Sequence, residues 1–77
     1  MSRYAVKVRR HGEAVWTIEL QASSLDDARG WYGARAEQFH VPGDELQLVD
    51  VWAGDVISTV IVADRGARER LDLEPAR

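Results

Sequence analysis

The chain has 77 residues, no cysteine, 45% hydrophobic residues and a formal net charge of −3. At that length there is room for one core, burying about 60–65% of the surface that the unfolded chain exposes; without cysteine there are no disulfides, thiolate zinc sites or cysteine nucleophiles. The composition is too apolar and too evenly charged for disorder, and no apolar run approaches the ~18 residues of a membrane helix, which leaves one small domain held by close packing or by association with another chain.

Charge is unevenly placed. Residues 1–12 carry Arg3, Lys7, Arg9 and Arg10 with no acid, residues 13–63 carry nine acids against Arg29 and Arg35, and residues 64–77 balance. An acidic body argues against a chain whose main task is coating nucleic acid, because that affinity comes largely from neutralised phosphates. Met1-Ser2-Arg3-Tyr4 runs straight into a patterned segment without a signal-peptide apolar stretch, so we expect a cytoplasmic protein.

From Arg3 to Val8, Tyr4, Val6 and Val8 alternate with Arg3, Ala5 and Lys7, the pattern of a half-buried strand. Ala14, Trp16, Ile18 and Leu20 repeat it against Glu13, Thr17, Glu19 and Gln21. A three-residue loop, Arg10-His11-Gly12, would pair Val8 with Ala14, Val6 with Trp16 and Tyr4 with Ile18, and would set Arg9 opposite Glu13 and Arg3 opposite Glu19. Ser23-Ser24-Leu25-Asp26-Asp27 then reads as a capped helix start with acids in its first turn. Leu25, Ala28, Tyr32, Ala36 and Phe39 make the core-facing stripe, and Val41-Pro42-Gly43-Asp44 stops the helix. Two strands follow, Glu45 to Ala53 and Val56 to Ala63, joined by a Gly54-Asp55 turn that pairs Val49 with Val60, Leu48 with Ile61 and Trp52 with Ile57. The predicted fold is α+β: a single domain over residues 1–64, order β-β-α-β-β, with antiparallel hairpins forming a four-stranded sheet and the helix on one face. Residues 65–77 are expected to be a charged tail or short helix.

In that register the second hairpin is apolar on both faces. One carries Val49, Val51, Val56, Val60 and Val62, and the other Leu46, Leu48, Trp52, Ile57 and Ile61 with Asp50 and Thr59. One helix cannot cover both. Because a carboxylate is costly to bury without a partner, we expect the Asp50 face outside, as a protein interface of Leu46, Leu48, Asp50, Trp52, Ile57, Thr59 and Ile61. Trp31, off the helix's core stripe, joins them, tryptophan being a residue that dominates interface energetics.

Chemistry has few footholds. His11 and His40 lack metal-ligand spacing, and there is no GxSxG, GxGxxG or GxxxxGK[ST] motif, so we expect no enzyme, metal or cofactor. The first hairpin lines up Arg3, Lys7, Arg9, Arg10 and His11, a ribbon that could contact a nucleic-acid backbone. The leading expectation is a small protein-binding domain, an adaptor, regulator or inhibitor that self-associates as a homodimer through the second hairpin; nucleic-acid association through the basic hairpin is the alternative.

Overall fold

The computed structural model describes residues 2–73. Its elements are β1 (Tyr4–Arg9), β2 (Thr17–Ala22), α1 (Leu25–Ala36), β3 (Glu45–Asp50), β4 (Asp55–Val62) and β5 (Arg68–Asp72). All strands belong to one antiparallel sheet in the order β2-β1-β3-β4-β5, and α1 packs on one face against β1, β2 and β3. The α+β architecture with one helix therefore holds, but the sheet has five strands where four were expected. No helix among the described residues is long and apolar enough to cross a membrane.

The fifth strand comes from the segment expected to be a tail or short helix. Gly66, at φ 80°, turns the chain after β4, with its N–H on the Ala63 carbonyl and the Ala63 N–H on that of Ala67. Arg68 then donates to the Glu37 and Phe39 carbonyls past the end of α1, at 2.9 and 3.2 Å, and Asp72 accepts from the Ser58 hydroxyl at 2.7 Å. Residues 74–77 of the same expected tail lie outside the described residues.

The first hairpin closes later than expected. Tyr4 pairs with Ala22 and Val6 with Leu20, then a bulge at Glu19 shifts the register so that Lys7 faces Ile18 and Val8 faces Thr17. Residues 10–16 form a loop, not a three-residue turn. Its anchors are distant in sequence: Arg10 and the His11 N–H both donate to Asp44 at 2.8 Å, and Arg9 stacks on Trp16. Such charge-assisted bonds, at roughly 1.5–3 kcal/mol each, outweigh cross-strand pairs of a few tenths to ~1 kcal/mol. Arg9 and Arg3 accordingly find carboxylates on β3, Glu45 and Asp50, in place of Glu13 and Glu19.

The second hairpin is corrected by its turn and by a bulge at Ile57, the bulge alone changing the parity. Asp50 ends β3 and accepts from the Trp52 and Ala53 N–H groups at 3.1 Å, the local bonding that makes aspartate a turn former. Residues 51–54 make the turn, with the Gly54 N–H on the Asp50 carbonyl and Gly54 at φ 75°. Leu46 now pairs with Val60 and Leu48 with Ser58 before a bulge brings Val49 against Val56. A shift of odd parity exchanges one strand's faces relative to the other. Leu46 and Leu48, 0% and 1% exposed, therefore join Val60, Val62, Ile57, Ala28, Tyr32 and Phe39 in one core, and the two-sided apolar hairpin disappears.

The helix keeps its expected cap and buried side but ends sooner, at Ala36 and not at Val41-Pro42-Gly43-Asp44, its last turn tightened by the Gln38 and Phe39 N–H groups on the Arg35 and Ala36 carbonyls. Ser24 caps it, accepting from the Asp27 N–H; Ala28 and Tyr32 are buried, and Leu25 and Ala36 pack against the core. The chain leaves the helix through Glu37, and Phe39 sits buried between the guanidinium groups of Arg10 and Arg35 at 4.6 and 4.9 Å.

Candidate protein-binding edge

The expected interface does not assemble. Leu46, Leu48 and Ile57 are core, and Asp50 is buried at the end of β3, with two hydrogen bonds of 3.1 and 2.8 Å from Arg3 to Oδ2. Trp52 is exposed in the β3–β4 turn at 62%, Thr59 and Ile61 lie on the sheet face away from α1, and Trp31 stands on the helix at 44%. The Asp50 carboxyl is held below the ordinary carboxylate range, by the Arg3 hydrogen bonds first and by the turn N–H groups after them, and Thr59, expected on the same outer face, pairs with Gln47 and Leu71.

The basic ribbon is neutralised where it stands. Arg3 pairs with Asp50, Arg9 with Glu45 at 2.5 Å, and Arg10 with Asp44 at 2.8 Å. Burial pushes the Asp44 carboxyl up, but the His11 N–H and the Arg10 guanidinium more than reverse that and leave it below its usual range. His11 is committed through its backbone to Asp44, and its ring lies where a side chain on Gly43 would be. Lys7 has no carboxylate partner among the described residues.

What the fold does expose is the β2 side of the molecule. The two outer strands differ in chemistry: β5, Arg68-Glu69-Arg70-Leu71-Asp72, carries four charges in five residues, while β2, Thr17-Ile18-Glu19-Leu20-Gln21-Ala22, carries one. Charged edges repel added strands, and bare ones accept them. The single β2 charge is occupied, since Glu19 accepts two bonds from Arg35 at 2.8 and 3.2 Å, which hold its carboxyl below the usual range.

Beside β2 runs the flank of α1. Spacings of three and four bring Asp27, Gly30, Trp31, Ala34 and Gln38 to one stripe. Trp31 divides a groove between strand and helix into two hollows, of about 490 Å³ toward Glu19, Ala34, Arg35 and Gln38, and about 640 Å³ toward Leu20, Ala22, Ser23, Asp27 and Gly30. Gly30 keeps the wall low, with nothing within 4 Å of where a Cβ would stand. The sequence marked Trp31 as lying off the core stripe but missed Gly30, Ala34, Leu20 and Ala22. They become a surface only once β2 is known to be an outer strand.

A second polar cluster lies under β5. The Ser58 hydroxyl donates to Asp72, which leaves the buried Tyr32 hydroxyl as donor to Ser58 at 2.8 Å, and Arg70 both donates to Asp72 and stacks on the Tyr32 ring. Burial raises the Tyr32 pKa, while the Ser58 hydroxyl and then Arg70 lower that of Asp72. The side chains of Tyr32, Ser58, Asp72 and Arg70 are each held by another of the four, the mark of a strand anchor.

Comparison with protein-family models, with curated proteins and with solved structures found no match to the chain.

Proposed function

We propose that this is a cytoplasmic, non-enzymatic protein-binding domain that works by strand addition: an extended segment of protein pairs with the free edge of β2 and lays its side chains against the α1 flank around Trp31. The observation that carries the reading is the contrast between the two outer strands, one charged along its length and one nearly bare and bordered by an aromatic groove. Main-chain hydrogen bonds supply affinity in such a mode, and the hollows on either side of Trp31 supply selectivity. An adaptor, regulator or inhibitor of this size needs no cavity for chemistry, only an edge and an anchor.

Photo-crosslinking tests it. With p-benzoylphenylalanine in place of Trp31, in living cells expressing the protein, a covalent protein adduct is expected, and Ala34→Glu, which puts a charge into the groove, is expected to abolish it. The same crosslinker in place of Glu69 on β5 should give none. Absence of any adduct at position 31 overturns the proposal, as does an adduct indifferent to Ala34→Glu.

A further inference from the structure

We infer that the segment which pairs with β2 is β2 of a second copy of this chain, related by a two-fold axis, so that two five-stranded sheets join into one of ten; this rests on the strand-addition reading above. Closed two-fold assemblies require a surface that fits itself, each residue meeting the counterpart of its own contact. The β2 side meets that condition in shape. A two-fold axis through an antiparallel β2 pair also sets the two α1 helices antiparallel beside it, and each Trp31 then stands opposite a hollow floored by small residues, Gly30 on one side and Ala34 on the other.

It meets the condition in charge as well. The first turn of α1 carries Asp26 and Asp27, and its last turn carries Arg35. Antiparallel helices place the acidic end of each beside the Arg35–Glu19 pair of the other and away from its counterpart acids, and their dipoles oppose head to tail. A parallel arrangement would put acid against acid. The bulge at Glu19 leaves the strand short, but six residues at about 3.3 Å each still give a strip ~20 Å long. With the helix flank, the strip buries on the order of 1,000 Å² over both copies, the lower bound for a specific interface.

Sedimentation velocity on the purified chain from 1 to 500 µM decides it. The expected result is a concentration-dependent passage from the 8.7 kDa monomer to a species of twice that mass. Trp31→Ala and Ala34→Glu should each move the midpoint up by tenfold or more, and Glu69→Lys on β5 should leave it unchanged. Ala34 is exposed and glutamate is a good helix former, so Ala34→Glu keeps the test valid if Trp31→Ala fails to fold. A monomer at 500 µM overturns the inference, as does a dimer that both groove variants leave intact. A monomer that nevertheless gives an Ala34→Glu-sensitive adduct of another mass at position 31 overturns self-pairing and leaves strand addition standing; a monomer with no adduct overturns both.

Discussion

Asp44 shows how one carboxylate fixes a loop. It is buried ahead of β3 and gathers the His11 N–H and the Arg10 guanidinium, so it ties the β1–β2 loop to the far end of the helix connection. Asp44→Ala leaves the His11 N–H without its acceptor, a loss of about 1–3 kcal/mol, which urea unfolding at pH 7 should show as a lower midpoint with unchanged slope. The pH dependence has a definite sign. Asp44, Asp50 and Asp72 are all held below their ordinary values in the fold, so the stability they contribute is present above the unfolded-state value of about 3.9 and is lost as pH falls through their lower folded values. The gap between wild type and Asp44→Ala should thus be full at pH 7 and 5 and close below pH 4; a gap that persists at pH 2.5 would show that packing, not charge, is at stake. None of these partnerships could be read in advance. That Asp50 was an anomaly among apolar neighbours was visible, but its partner is Arg3, 47 residues away, and its second role, closing a turn, looks in sequence like one more strand residue.

Elements were legible where their signals are local. The serine cap and the Leu25, Ala28, Tyr32 and Ala36 stripe gave the helix and its buried side, because both act within a few turns of one element, while Phe39 lies past its end. Registers were not, because a one-residue bulge in either hairpin inverts the parity that its turn sets, and the side chains that hold each register are bonded across the sheet. The strand β5 was hidden by charge: Arg68, Arg70 and Asp72 alternate with Glu69 and Leu71, and alternation of charge with charge does not resemble a half-buried strand. Only the Asp64-Arg65-Gly66 turn announced it. Arg68 is what the turn alone does not supply, since its guanidinium takes two carbonyls beyond the end of α1. Arg68→Ala should loosen β5 by about 1 kcal/mol; native-state hydrogen exchange should then show β5 amides exchanging about fivefold faster while β1 and β3 amides keep wild-type rates. Equal acceleration throughout would mean that β5 is cooperative with the whole sheet.

At the scale of the whole molecule the question is what the composition left open: packing or a partner. The corrected register puts Leu46, Leu48, Val60 and Val62 on a single side, so the core is better supplied than the strand patterns implied, while β5 stays exposed along its length. What remains outside is the sheet face away from α1, where Ile18, Ile61 and Leu71 are exposed, and the β2 edge with its aromatic groove. A thin margin, roughly 3–5 kcal/mol for a core of this size, makes any association on that edge visible in stability, because a partner that binds only the folded chain adds to its free energy by mass action. If two copies join through β2, the thermal midpoint rises with protein concentration. Scanning calorimetry from 5 to 500 µM should show a rise of several degrees, with domains under 100 residues shifting about 4–8 °C per kcal/mol. Ala34→Glu should flatten that dependence while leaving the low-concentration midpoint near wild type, since position 34 is exposed and helical. A midpoint independent of concentration in the wild type would place all of the stability within one chain, and the β2 edge would then have no second copy to answer to.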